Sequence, residues 1–259
     1  MKVATFNVNS LRRRLELVLD WLRQHQPDVM CLQETKVQDS EFPVLEIEAA
    51  GYHAEFRGMK SYNGVATLSR TKPEKVVHGL REGADTEDVR ILQTVINGIP
   101  IINTYVPQGQ SITSDKYVAK LLWFKHLKRY FETHLDPSRP ALWLGDINVA
   151  PEPMDVYHPD RRTNDVDFHI DARNAFKETR DWGFVDLFRR MHPERVQYTY
   201  WDYYRKAFEN NWGWRIDHIL ATAPLARRCR TIDVDLEPRR QAGASDHTVV
   251  WAEFSDEDE

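Results

Sequence analysis

Cysteine is almost missing: 259 residues hold only Cys31 and Cys229. Two thiols that far apart make no disulfide framework, and Cys31 lies in the apolar run "DVMCL", where a thiol is buried and inert. No run of 18 apolar residues exists, which excludes a membrane-spanning helix. The opening "MKVATFNVNS" reads as a strand with an early asparagine rather than a secretory signal. A reducing cytoplasm is the expected compartment, with no membrane partner. HExxH, GxSxG, the P-loop lysine motif and GxGxxG are all absent, so the usual signatures of zinc proteases, serine hydrolases, nucleoside triphosphatases and dinucleotide enzymes are excluded. No linker, low-complexity tract or repeat divides the chain. An excess of positive charge is also lacking, since 35 Lys and Arg face 40 Asp and Glu, for a net charge of −5. The last four residues, Asp256 to Glu259, are all acidic, so the body is near neutral. Its positive charge is clumped at Arg12–Arg14, Arg161–Arg162, Arg227–Arg228 with Arg230, and Arg239–Arg240. A local basic face steers a polyanion even when the total is negative.

What is present is material for a large core: 41% hydrophobic residues, 11% aromatics and eight tryptophans. Apolar runs of strand length recur at 3–8, 28–34, 64–69, 92–96, 99–106, 141–149, 215–222, 231–236 and 248–254. Asn97-Gly98 between two of them signals a hairpin, so part of the sheet is antiparallel. Helical spacing fills the gaps. Leu11, Leu15, Val18, Leu19 and Leu22 predict a helix over 11–25, capped by Asn9 or Ser10. Ser114 opens a second with Tyr117, Leu121, Phe124, Leu127 and Phe131, and a third is expected from Asp171 to about Trp182, closed by Gly183. This alternation predicts one α/β domain over 1–254 and an unanchored acidic tail over 255–259.

The strands end in polar residues of a particular kind. Asn7, Glu34, Tyr105, Asp146, Asn148 and Asp217 stand at or next to strand ends, and Asp246-His247 open the last strand in "GASDHTVVWAEF". Singly, each has an ordinary explanation: a helix cap, a surface charge, an ion-pair partner. Jointly they point to ends that converge, and in α/β sheets ligands are held at such ends. Four acids, two asparagines and a histidine, with no cysteine among them, make an oxygen-rich set. That set suits Mg²⁺ or Mn²⁺ and is poor for zinc. A hard cation, a carboxylate that takes a proton from water and a cationic histidine together suit a phosphate ester.

These residues, in this order, resemble the exonuclease III-type apurinic/apyrimidinic endonucleases of the endonuclease/exonuclease/phosphatase superfamily. The strings are "ATFNVNSLR", "DVMCLQETK", "GYHAEF", "YNGVATLSR", "NTYVPQG", "LWLGDINVAP", "WGFVDLFR", "QYTYWDYY", "GWRIDHIL" and "SDHTVVWAEF", spread over residues 4–254. The resemblance implies a DNase I-like, four-layer α/β sandwich of two packed mixed sheets flanked by helices. It implies Glu34 as principal metal ligand, with Asn7 and Asp246 near the ion. Asp146 would activate the attacking water, Asn148 orient it, and Tyr105 donate to the phosphate. His247 would bind the phosphate, held by Asp217, and an imidazole paired with a carboxylate keeps a fixed tautomer and a raised pKa. Gln108 would lie on the substrate side. Trp214, with Tyr200 or Trp201 and with Trp212 nearby, matches a pocket for an extruded abasic sugar, which loses no stacking when it flips.

The expected function is Mg²⁺-dependent hydrolysis by a monomer acting on double-stranded DNA with abasic sites or blocked 3′ ends, where it cuts at the former or trims the latter as 3′–5′ exonuclease and 3′-phosphatase. One alternative is a specialised 3′-end enzyme, because His169 in "TNDVDFHIDARNAF" would narrow the pocket. A lipid or inositol phosphodiesterase of the same superfamily and a non-catalytic nucleic-acid-binding protein are the others. "YVPQG" and the tryptophan-rich second half favour DNA, and the intact metal and histidine set favours an enzyme.

Overall fold

The computed structural model describes residues 1–80 and 89–256. The first sheet runs β11 (Cys229–Asp235), β12 (Val249–Phe254), β1 (Lys2–Asn7), β2 (Val29–Gln33), β4 (Val65–Ser69) and β3 (His53–Arg57). The second runs β5 (Lys75–His78), β6 (Ile91–Ile96), β7 (Ile99–Tyr105), β8 (Leu142–Asp146), β10 (Asp217–Thr222) and β9 (Phe184–Asp186). Among the described residues only β1–β2 and β7–β8 are parallel pairs. Each needs a crossover, supplied by α1 (Leu11–His25) and α3 (Asp115–His134). Between β6 and β7 the chain turns on Asn97 and Gly98 with φ of 51° and 72°, the paired positive angles that match the twist of a two-residue hairpin.

Side chains alternate across each strand and so divide into layers. Val3, Val29, Ile101, Leu142, Leu144 and Ile219 fill the space between the sheets. Ala4, Phe6, Met30 and Leu32 face outward, against Leu11, Val18 and Leu22 of α1 and Ile47 of α2 (Val44–Ala49). Ile102, Trp143 and Leu220 pack on the other side against Phe124, Leu127 and Phe131 of α3 and Phe176 of α4 (Ile170–Arg180). This is the four-layer sandwich that the resemblance implies.

The inward column changes character along its length. On β1 it reads Val3, Thr5, Asn7; on β2 Val29, Cys31, Gln33; on β7 Ile101, Asn103, Tyr105; on β8 Leu142, Leu144, Asp146. At the polar end Gln33 donates to Thr5 Oγ1 at 2.9 Å and Asn103 Oδ1 at 2.8 Å. Asn103 donates to the carbonyls of Leu32 at 3.2 Å and Ala66 at 2.9 Å. Buried amides must be paired, and here they pair across the two sheets. The convergence inferred from strand ends is therefore the polar end of the inter-sheet core.

All nine expected strands form; β3, β5 and β9 are additional. Each is a sheet edge, half-buried or only three residues long, so none carries the continuous apolar run of a strand covered on both faces. Ser114 caps α3 as expected, accepting from the Lys116 amide at 3.1 Å. The cap expected on α1 is absent. The Ser10 and Leu11 amides instead donate to the carbonyls of Glu34 (2.8 Å) and Thr35 (2.9 Å), and the Asn9 side chain is engaged elsewhere. α4 stops at Arg180, short of the expected end. Ser255 and Asp256, expected to begin an unanchored tail, are tied to Arg228 by hydrogen bonds at 2.9 Å, and the rest of the tail lies outside the described residues.

One buried ion cluster supports the strand that ends at Asp217. Arg215, 1% exposed, donates to Asp155 at 2.7 and 3.0 Å and to Asp186 at 3.2 and 2.8 Å. Burial works against the Asp186 charge, but Arg215 and His218 outweigh it and hold the carboxyl well below the usual range. Arg215→Met should cost about 3–5 kcal/mol in urea melts, because it strips buried Asp186 of its arginine and leaves buried Asp155 to Arg189 alone. A depressed carboxyl contributes stability above its unfolded pKa and loses it as pH falls through the folded one, so the Asp186 share should fade below about pH 4. A loss under 1 kcal/mol at neutral pH would mean the cluster contributes little net stability.

Candidate active site

Three adjacent strands bring Tyr105, Asp146 and Asp217 to one level, because Asp146 pairs with both Tyr105 and Asp217 in register. From the facing sheet come Asn7 and, just past β2, Glu34. Asn7 Nδ2 donates to Glu34 at 2.9 Å and to Asp146 at 2.8 Å, so one amide screens two carboxylates from each other. Glu34 has a left-handed backbone, φ 50°, which turns its side chain out of the sheet. Lys36 pairs with it at 2.8 Å. Burial opposes the Glu34 charge, but the bonds from Asn7 and Lys36 hold its carboxyl below the ordinary range.

Asp146 behaves in the opposite way. It is fully buried and lies near two other carboxylates, Asp217 and Glu34, so its pKa stands well above normal despite the pull of His247. A carboxylate with this proton affinity is suited to take a proton. Asn148, with φ 51°, folds back so that its amide N–H donates to Asp146 at 3.0 Å while its Nδ2 donates to the Val106 carbonyl at 2.9 Å.

His247 is placed by a short ladder. The Trp201 amide donates to Asp246 O and the Thr248 amide to Thr199 O, both at 2.8 Å, which pins the 245–248 turn to the aromatic segment. Nδ1 of His247 lies 2.8 Å from Asp217 Oδ2 and Nε2 lies 3.8 Å from Asp146. Burial lowers the imidazole pKa, but Asp217 first and then Asp146 and Asp246 push it up to about 10. The ring is therefore a cation at neutral pH, with Nδ1–H committed to Asp217. Tyr105 is kept protonated by burial and by the charges of Glu34 and Asp146.

One ligand atom each from Glu34, Asp146 and His247 lies within 4.8 Å of the others, an arrangement with the spacing of a metal site among the described residues. The oxygen donors are clustered, partly repelling and free of thiols, which fits a hard cation. The expected set is redistributed. Asp246 lines the same cavity, but its Oδ1 accepts from Asn9 at 3.0 Å and it is not in the cluster. Asn7 presents its nitrogen, not its oxygen, to the carboxylates.

These groups floor a cavity of about 1250 Å³. Its lining includes Glu34, Tyr105, Gln108, Asp146, Asn148, Asp246 and His247 on one side and Tyr200, Trp212 and Trp214 on the other. Gly213 is required here. A Cβ would lie 2.5 Å from Trp201 Nε1 and 2.6 Å from Tyr198 Cβ, so only glycine lets the chain pass between the two tryptophans.

Two expectations fail. Trp201 is 1% exposed and packs with Tyr198 and Ala207 behind the cavity, its Nε1 bonded to Asn211 at 3.1 Å. His169 does not line the cavity; it caps α4, accepting from the Asp171 amide at 3.3 Å, and its Nδ1 lies 3.0 Å from the Tyr117 hydroxyl. The ground for a narrowed pocket disappears with it. Asp217 lies behind His247 rather than on the lining.

Sequence reasoning also missed residues. Tyr157 stacks on Trp212 at 6.1 Å and 12°, and the Arg162 guanidinium lies 4.3 Å from the Tyr157 ring centre. Tyr157 stands in an irregular stretch with no periodic signal, and Arg162 is legible only as part of the basic clump Arg161–Arg162. Lys120 and Asp167 form a buried pair at 2.9 Å beside the cavity. Here a signal existed, since Lys120 interrupts the apolar stripe Tyr117, Phe124, Leu127, Phe131 of α3.

The model of the Endonuclease/Exonuclease/phosphatase family matches residues 4–247. Exodeoxyribonuclease III of Haemophilus influenzae is 35% identical, with 98% of this chain and 100% of the relative covered. The structure of an AP endonuclease from Archaeoglobus fulgidus superposes with a TM-score of 0.95 at 47% identity, covering 98% of this chain and 99% of that one. That of the 3′ phosphatase NExo from Neisseria, bound to product DNA hairpin, gives 0.94 at 35% identity, with 98% and 99% covered.

Proposed function

This chain belongs to the exonuclease III and AP endonuclease family, within the endonuclease/exonuclease/phosphatase superfamily, and on that premise we propose that it hydrolyses phosphate esters of damaged DNA, cutting at abasic sites and clearing 3′ ends. One observation carries the reading: the carboxylate–histidine cluster and the half-buried rings of Trp212, Trp214 and Tyr200 open into the same cavity. The first suits a phosphate ester, and the second suits a sugar that has lost its base.

Mg²⁺, or Mn²⁺ in its place, is the proposed ion, held chiefly by Glu34 with Asn7 and Asp246 beside it. When bound, such an ion polarises a phosphoryl oxygen and stabilises the leaving oxygen. The chain's own groups do the rest. Asp146 takes the proton of the attacking water, which Asn148 orients. His247, a fixed cation, donates from Nε2 toward the charge that grows on the phosphoryl oxygens. Asp217 holds the ring's orientation and its charge, and Tyr105 adds a neutral donor.

The test is a substrate panel: abasic, nicked and 3′-phosphate duplexes beside a lipid phosphodiester, each with and without chelator. Cleavage of the DNA substrates alone, abolished by the chelator, is expected. Preferential hydrolysis of the lipid would overturn the reading.

Trp214→Ala separates the pocket from the chemistry. Losing a packing ring costs on the order of 1–3 kcal/mol, so cleavage at an abasic analogue should fall roughly ten- to a hundredfold. Binding to intact duplex rests mainly on phosphate contacts and should change much less. An equal fall in all activities and in melting temperature would assign Trp214 to the core.

A further inference from the structure

One wall of the cavity carries a charge pair that the proposed reaction leaves unused. Lys120 is completely buried on α3. Its ammonium lies 3.0 Å from Gln108 O, 2.6 Å from Asn148 O, 3.0 Å from Val166 O and 2.9 Å from Asp167 Oδ1. A lysine has three N–H donors, so these four oxygens saturate it. It therefore ties three loops around the cavity to one helix.

Asp167 is fixed from two directions. Its backbone carbonyl accepts from the Ala150 amide at 2.7 Å, and Lys120 holds Oδ1. Its side chain retains 17% exposure and the residue lines the cavity. No hydrogen bond to Oδ2 is found among the described residues, so that oxygen is free to accept one from a ligand. Burial pushes the Asp167 carboxyl above its usual range, against the pull of the adjacent ammonium.

Asp167 lies outside the carboxylate–histidine cluster, so no shared cation would offset its repulsion of a phosphate. It repels phosphoryl oxygens and accepts from neutral donors. An extruded sugar without a base offers one kind of neutral donor, a hydroxyl. We propose that Asp167, held in place by Lys120, accepts a hydrogen bond from a hydroxyl of the extruded sugar and thereby favours hydroxyl-bearing lesions over analogues that lack the group. The inference rests on the abasic-site reading above. A site built to bond a hydroxyl discriminates against the analogue without it, because its own polar group is left unpaired.

The hydroxyl has two sources, C1′ of a hydrolytic abasic site and C2′ of a ribose-based one. The experiment uses three duplexes: a natural abasic site, its tetrahydrofuran analogue, and that analogue carrying a 2′-hydroxyl. Wild-type kcat/KM for at least one hydroxyl-bearing duplex should exceed that for tetrahydrofuran by about tenfold or more, the worth of a bond to a charged acceptor. Which of the two gains identifies the carbon. In Asp167→Ala that ratio should fall toward one, and in Asp167→Asn, which keeps the side-chain shape, it should fall partway. Equal wild-type rates on all three duplexes, or a ratio that both variants preserve, would overturn the proposal while leaving abasic cleavage intact. Failure of the wild type to cut any of the three, with 3′-phosphate still released, would overturn the abasic reading and this proposal with it.

Discussion

His247→Ala should lower hydrolysis of every substrate, internal abasic sites and 3′-phosphates alike, by about a thousandfold. Removing one preorganised donor to a developing charge typically costs 10²–10³ in rate, and loss of a positioned proton donor adds to it. Two features argue for the upper end. The ring is a fixed cation, with carboxylates holding its pKa up to about 10, and its orientation is set by Asp217 at 2.8 Å. The effect should fall on kcat more than on KM, since the interaction strengthens as charge builds. Its uniformity across substrates is the diagnostic part. Trp214→Ala spares some activities, whereas this change should spare none. A variant that still released 3′-phosphate at near wild-type rate would remove His247 from the chemistry.

Glu34→Gln should reduce activity to background while the protein stays folded. Glutamine keeps the volume and can still bond Asn7 and Lys36 through its oxygen, but it withdraws the charge that would hold a hard cation. Because Asn7 and Lys36 favour the Glu34 charge in the folded protein, losing it should lower the melting temperature slightly and leave the fold intact. Chelation of the wild type should reproduce the loss, and excess Mn²⁺ should restore the chelated enzyme but not the variant. Full-rate cutting by chelated protein would refute the metal reading.

Much of this site was legible because its residues end strands whose apolar runs are unmistakable. A central strand buried on both faces has no reason to finish in Asp146 or Asn7 unless its end meets something polar. The edge strands β3 and β5 were hidden for the same physical reason, since their half-exposed faces carry little apolar signal, and β9 by its three-residue length. The aromatic segment was harder. "QYTYWDYY" forms no regular strand, so period-two alternation does not sort Tyr200 into the cavity and Trp201 out of it. His169 misled because a histidine near a pocket string looks chemical, while its ring nitrogen accepts from the Asp171 amide that opens α4. Lys120 was visible as a charge on an apolar helix stripe, but only the folded loops reveal which oxygens required it.

The polar bonds between the sheets also bear on how the protein loses its shape. Gln33 lies level with Asn7 and next to Glu34, Asn103 lies two residues behind Tyr105, and the two amides bond across the sheets. An oily interface can slide, because one aliphatic contact replaces another at little cost. Here a slip of two residues would set buried amides against Cys31 or Ile101 and leave them unpaired, a penalty that aliphatic contacts cannot offset. The catalytic end and the docking of the sheets therefore open as one cooperative unit. Thermal motion has no easy route to a molecule that remains packed with its active site out of line.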